Sequence, residues 1–391
     1  MEERTRSYLR GRFRDFYRRD DPPEPPDATA REWGYIPWDG GSGTTMIRHR
    51  SVHDLGSLEA FLVRERPRHV YFSAGQYDDP SARSMDDKGW QGSDLVFDLD
   101  ADHLPSVNPA EDTYAEMLET CKTALLKLLD LLERDFGFED LTITFSGGRG
   151  YHVHVRDQSI QTLDREQRRE VVEYVRGSGL SLESLVSEEP VSGRGRKTPT
   201  ARRSLPPTGG WGRRVLNRLQ ELTEELLDMD EQAAIERLQS FEGVGQTNAE
   251  AVLSVLETNT DAVMAGNVDV HPAFLPVVRA MIERTVETDA SPIDEPVTTD
   301  THRLIRLPGS LHGGSGLRVV PLERGEIAEF DPLRDAIPDT FTGHRIGVEV
   351  TEETLLEFNG ESLSVSQGYQ ELPEYAGIFL MARGMAAKAP E

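Results

Sequence analysis

Three stretches of this 391-residue chain gather side chains able to do chemistry. The first is Asp98-Leu99-Asp100, which closes the run Leu95-Val96-Phe97. A strand repeats every two residues, so Asp98 and Asp100 share one face, while Leu95, Phe97 and Leu99 take the other and point into a core. Two carboxylates about 7 Å apart on such a strand repel each other, and each favours neutralisation. A hard divalent cation, Mg²⁺ or Mn²⁺, removes that penalty. Paired cations of this kind stabilise the attacking and leaving oxygens of a phosphoryl transfer. The competing reading of a bare Asp-x-Asp in so acidic a chain is a solvated acidic edge. The apolar run ahead of it, and the two segments that follow, weigh toward ligands.

The second segment is Ser146-Gly147-Gly148-Arg149-Gly150-Tyr151-His152. A serine–glycine turn between two strands aims backbone N–H groups at one point, an anion nest. Arg149 can fork onto phosphate oxygens and Ser146 can add a hydroxyl. His152 and His154 alternate with Tyr151, Val153 and Val155 and therefore share a face. A zinc pair made of these two histidines is a further alternative, but no third ligand is close in sequence. The third segment runs from Asp294 to His312 and carries Arg306 in the apolar stretch Leu304-Ile305-Arg306-Leu307. A charge there needs a partner, supplied by a ligand phosphate or by an acidic residue. Asp294 and Asp300 are the carboxylates of the segment, and either could complete a metal site.

The elements that must position these groups follow from periodicity. Residues 1–20 read as a helix with Tyr8, Phe13, Phe16 and Tyr17 on its apolar side and seven arginines. DPPEPPDA (21–28) breaks it. Strand signals cover 31–36 and 44–49, around the turn DGGSG, then 69–74, 93–101 and both arms of 141–155. A helix is expected at 55–66. Residues 111–136 repeat Leu118, Cys121, Leu125, Leu128 and Leu132 at helical spacing, which puts Cys121 in the core, where a thiol is inert. Residues 164–177 are helical. The run 187–210, rich in Gly, Pro and Arg, reads as a loop. From 211 the pattern is helical, with Trp211, Val215, Leu219, Leu222 and Leu226 on one stripe. Strand signals return at 293–307 and 317–322, with helices near 352–357 and 373–388. The organisation expected is a discontinuous mixed α/β domain, 1–205 with 286–391, interrupted by an all-helical insertion at 206–285.

Acids outnumber bases 69 to 43, a formal net charge of −26. Only five of the 43 bases are lysine. Carboxylate excess with lysine depletion reads as adaptation to a salt-saturated cytosol, where the Debye length falls to about 3 Å. Net charge then says little about partners, and nucleic acid is not excluded despite the acidic total. No apolar run approaches the length of a membrane span, and the start of the chain lacks the apolar stretch of a secretory signal, so a cytoplasmic protein is expected. One cysteine cannot build a disulfide framework.

Taken in order, LVFDLDAD, SGGRGYHVHV and THRLIRLPGSLHGGSG resemble the motifs of the catalytic small subunit of archaeal and eukaryotic DNA primases. RFRDFYRR and Arg31-Glu32-Trp33-Gly34-Tyr35 resemble that family's N-terminal motifs. The resemblance covers nearly the whole chain. It implies the primase catalytic fold with a helical insertion, and template-directed synthesis of short RNA, or DNA, primers on single-stranded DNA from nucleoside triphosphates. It places Asp98 and Asp100 on the paired metal-binding aspartates and Asp294 on the third, for two Mg²⁺ or Mn²⁺ ions. Ser146, Arg149, His152 and His312 fall on triphosphate-binding positions, and Arg306 falls where the family has a cation. Arg31 resembles an arginine that contacts nucleotide or template. A large subunit is implied as partner. The family's zinc knuckle is not matched: residues 101–121 offer only His103 and Cys121, too few for a tetrahedral site. The loop at 193–214, with Arg194, Arg196, Lys197, Arg202, Arg203, Arg213 and Arg214, is either a nucleic-acid track or an ordinary solvated loop. The apolar tail at Tyr375, Phe379, Leu380 and Met381 is either a docking surface or a core helix. Rival functions are a repair polymerase that extends existing ends, a nuclease, and a binding scaffold with a dead site.

Overall fold

The computed structural model describes residues 1–38, 45–191 and 200–390. The turn DGGSG and Arg194, Arg196 and Lys197 lie outside the described residues. The chain forms two compact units, one of Met1–Leu126, Phe138–Val172 and Pro292–Glu391, the other of Lys127–Gly137 and Glu173–Ser291.

The first unit is built on antiparallel sheets. Its early strands are β1 (Arg31–Ile36), β2 (Ile47–Arg50), β3 (His69–Tyr77), β4 (Trp90–Ser93), β5 (Leu95–Asp100), β6 (Leu141–Phe145) and β7 (Gly150–Val155). In the second unit β8 (Ser187–Val191) and β9 (Thr200–Ser204) form a ribbon, so the ends of the stretch read as a loop are strands. The first unit resumes with β10 (Leu304–Arg306) and β11 (Val320–Leu322). One sheet has the order β10-β3-β1-β2, with β4 also on β3; a second has the order β11-β6-β7-β5. The second sheet buries Leu95, Phe97 and Leu99 completely. Helix Tyr114–Arg134 lays its predicted stripe here: Cys121 is fully buried, with its thiol 3.6 Å from the Leu99 carbonyl. Burial pushes that thiol up, away from thiolate.

The two sheets meet at Asp94, between β4 and β5. Its buried carboxylate takes Arg31 at 2.9 Å, Arg156 at 3.0 Å and His154 at 3.2 Å. Its backbone N–H donates to the Ala74 carbonyl of β3. Arg168, also buried, donates to the Ser93 and Asp94 carbonyls and fastens helix Arg165–Val175 to the same point. A carboxylate ringed by cations and hydrogen bonds lies well below the ordinary aspartate range despite its burial.

Two sequence expectations change in the C-terminal third. Residues 293–307 are not strand throughout: Glu295–Thr299 is a short helix with proline in its first turn, where a missing N–H does no harm. Residues 352–357 are not helical. After β12 (Arg345–Val350), β13 (Thr354–Phe358) turns at Asn359-Gly360 into β14 (Glu361–Val365). Both turn residues have positive φ, 56° and 74°, the two-residue hairpin that this dipeptide favours. Leu356 and Phe358 are buried while Leu355 is exposed, a period of two. β15 (Gly368–Pro373) and β16 (Ala386–Lys388) flank β12. Helix Glu374–Arg383 buries Phe379, Leu380 and Met381, so this tail is core and not a docking face.

The second unit packs helices Gly210–Asp228, Glu231–Gln239, Gln246–Thr258 and Leu275–Asp289 around one apolar cluster. Trp211, Val215, Leu219, Leu222 and Leu226 are all buried in this unit, as their spacing predicts. Two arginines assigned to the basic loop are held inside it: Arg203 pairs with Asp269 and Arg214 with Asp130 and Asp135. No described helix is long and apolar enough to cross a membrane.

Candidate active site

β5 carries Asp98 and Asp100 on the face opposite its buried leucines and phenylalanine, and both are partly exposed. β7 runs beside it, pairing Asp98 with His152 and Asp100 with Gly150. The approach of the two strands at Gly150 is so close that an added Cβ would lie 1.8 Å from the Leu99 carbonyl oxygen. His152 Nε2 lies 3.5 Å from Asp98 Oδ1.

Asp294, 194 residues beyond Asp100, arrives at the same strand. Its backbone N–H donates to the Asp98 carbonyl at 3.0 Å. The short helix that follows packs Val297 with Ala74, Val96 and Ile305. The Asp98 carboxyl is raised to about 6, by burial first and then by the charges of Asp100 and Asp294; Arg306 and Arg303 act against the rise. The three acids therefore share one electrostatic neighbourhood. Among the described residues, no three His, Cys, Asp or Glu side chains are gathered closely enough to enclose a metal ion. The carboxylates stand apart, as like charges do. Asp300 plays a different part: its Oδ1 accepts the His302 backbone N–H.

Beside the acids lies a cradle made by two loops. Ser146 Oγ accepts from the Gly148 N–H at 3.4 Å, and the Ser146 N–H donates to the Gly150 carbonyl. Ser315 Oγ donates to the Gly147 carbonyl at 2.5 Å and lies 3.1 Å from His312 Nδ1, so the SGGRG turn and the LHGGSG loop are stapled together. Tyr114 braces the same turn through Gly148 O. Arg149, about one third exposed, reaches Asp102 at 2.5 Å. Arg306 lies over the Tyr71 ring, 5.7 Å from its centroid, and its buried Nε has no hydrogen-bond partner. The buried His152 Nδ1 also lacks one. Burial, with Arg306 next in effect, holds His152 and His312 well below the ordinary imidazole value. Both rings are neutral, and the positive charge of the cradle rests on Arg149 and Arg306. Orphaned buried donors beside two arginines suit an anionic ligand.

Thus Asp98, Asp100, Asp294, Ser146, Arg149, His152, Arg306 and His312 are gathered in one region, and Arg31 is not. Arg31 is fully buried, with its guanidinium committed to Asp94 and to the Pro26, Ser73 and Ala74 carbonyls. It joins the sheets with four of its five N–H donors committed and none of its surface exposed, so it is not presented to a nucleotide, which corrects the expectation. His154 is likewise held by Asp94 and stacks on Phe72, so it does not form a zinc pair with His152. Sequence reasoning passes over Tyr114, Asp102 and Ser315. Asp102 and Ser315 stand inside the LVFDLDAD and LPGSLHGGSG segments and could have been found there; Tyr114, at a helix start, gives no signal.

Comparison with known proteins gives the family. The DNA primase small subunit family pattern matches residues 97–324. Proteins named DNA primase small subunit PriS are 62% identical in Halobacterium salinarum and 57% in Haloarcula marismortui, over the full length of both chains. One from Methanothrix thermoacetophila is 40% identical over 99% of each chain. The matches define a primase-type nucleotidyl-transferring enzyme. The chain belongs to the DNA primase small-subunit family.

Proposed function

We propose that this chain is the catalytic subunit of a DNA primase, a DNA-directed RNA polymerase of primase type that makes short primers on single-stranded DNA. The observation that carries the reading is the meeting of Asp294 with the Asp98–Asp100 face beside the Arg149–Arg306 cradle. Asp98, Asp100 and Asp294 offer hard oxygen donors, and the Asp98 carboxyl, raised by burial first and then by the neighbouring acids, is one that a bound cation would return to its charged form. Two Mg²⁺ or Mn²⁺ ions held there would acidify the attacking 3′-hydroxyl and offset charge on the leaving pyrophosphate. Arg149 and Arg306 hold the triphosphate oxygens; His152 and His312 add ring N–H groups, and Ser146 with the turn N–H groups completes the grip. The new bond joins the 3′-oxygen to the α-phosphorus, and the bond to the β-phosphate breaks. Template pairing selects the base, so the protein need only hold backbone.

The name of the relatives, small subunit, supports a larger partner subunit, and a cytoplasmic place in replication follows from the same reading. A structural zinc finds no ligand set in 101–121 beyond His103 and Cys121. The test is synthesis on single-stranded DNA from free nucleoside triphosphates. Asp98→Ala should lower it on the order of 10³-fold, since metal sites contribute several kcal/mol to such transfers, with the circular dichroism spectrum intact. Full synthesis by that variant refutes the assignment. Extension of existing ends without initiation from two free nucleotides would favour the repair polymerase, and loss of DNA without nucleotides the nuclease.

A further inference from the structure

Next to the acids lies a groove of about 610 Å³, lined by Arg165, Glu295, Thr299, Asp300, His302 and Arg303 among others. We propose that this groove holds the phosphodiester backbone of a nucleic-acid strand, with Arg165 and Arg303 as its two cationic contacts. The proposal rests on the polymerase reading above and adds the place where a strand lies.

Four observations carry it. Arg165 and Arg303 are exposed, and among the described residues neither forms an ion pair, although acids outnumber bases 69 to 43. Their neighbours are engaged: Arg156 and Arg168 at Asp94, and Arg169 with Glu295 at 3.5 Å. The acids of the groove are engaged too, Glu295 by Arg169 and Asp300 by the His302 N–H. The walls are fixed to the catalytic strand. Arg168, three residues after Arg165, donates to the Ser93 and Asp94 carbonyls at the foot of β5. The Arg303 carbonyl accepts from Ala74, whose own carbonyl accepts from Asp94. The groove also borders the site: Glu295 follows Asp294, and the charge of Arg303 is felt at Asp98. Its lining offers two threonines, a histidine held to Tyr77 at 3.2 Å, and no Phe, Tyr or Trp for a base to stack on. Such a lining grips backbone and leaves sequence unread.

The phosphodiester could come from the template DNA or from the growing RNA. Full-length protein, wild type and R165Q/R303Q, is titrated with a labelled single-stranded DNA and with RNA of the same sequence across a range of KCl. Each phosphate contact on a single strand contributes a slope of about −0.7 to log affinity against log salt. The double variant should flatten the slope by about 1.4 for DNA if the groove holds template, and for RNA if it holds product, two contacts at that value. Nucleoside triphosphate affinity should stay within about twofold, because no cradle residue changes. Unchanged slopes for both strands overturn the proposal. So does a triphosphate affinity that falls as far as strand affinity, which would assign both arginines to the cradle. Primer synthesis by the unaltered chain tests the polymerase reading separately.

Discussion

Asp98 is the residue on which burial and charge act together. Its folded value near 6 stands above the ordinary 3.8, so between about pH 4 and 6 the folded chain binds a proton that the unfolded chain releases. Stability from this group therefore rises as pH falls through 6 and levels off near 4. A tenfold difference in proton affinity between the two states corresponds to about 1.4 kcal/mol. Asp98→Asn removes this dependence: the variant should melt higher than wild type at pH 7.5 without divalent cation, and the gap should narrow as pH falls through 6 and close only below about pH 4. Gly150 makes a second test at this scale. Gly150→Ala drives a methyl into the Leu99 carbonyl and should cost about 1–3 kcal/mol by overpacking. Denaturant titration measures that cost, and initiation assays should show the Asp100 face displaced. Most of the site is legible in the sequence because its residues stand in three dense segments. Arg31 misleads because a motif records that an arginine is present, and only coordinates record that Asp94 holds it.

At the scale of elements, legibility follows the strength of the local period. The stripe through Leu118, Cys121 and Leu125 and the alternation of Leu95, Phe97 and Leu99 both place their elements correctly, because burial on one face leaves a clear pattern. Thr354–Phe358 reads wrongly as a helix because two adjacent leucines mimic a helical face. The deciding signal is the Asn359-Gly360 pair, a property of the turn and not of the strand. The meeting of Asp294 with β5 is a contact of long sequence separation that no local pattern encodes. Gly360→Val forces a branched residue to a φ of 74° and should lower stability by about 1–2 kcal/mol. Thermal melting checks this, while triphosphate affinity should not change.

For the whole molecule, the charge of −26 and the haloarchaeal relatives agree on a high-salt setting. Surface pairs contribute little there, since ions screen them within about 3 Å at molar salt. The cluster at Asp94 is a different case, with Arg31 and Asp94 both fully buried. Asp94→Asn strands two buried or half-buried arginines, Arg31 and Arg156, and should cost about 3–5 kcal/mol. Chemical unfolding at 0.5 M and 3 M KCl should give nearly the same loss. Dilution then acts on this protein from the outside in. As brine is withdrawn, the crowded carboxylates of the skin begin to push one another apart, while the knot that ties the two sheets is closed off from the solvent and its ions. In a desalting series followed by amide exchange, the N–H of Asp94, donated to Ala74, should be among the last to surrender its hydrogen.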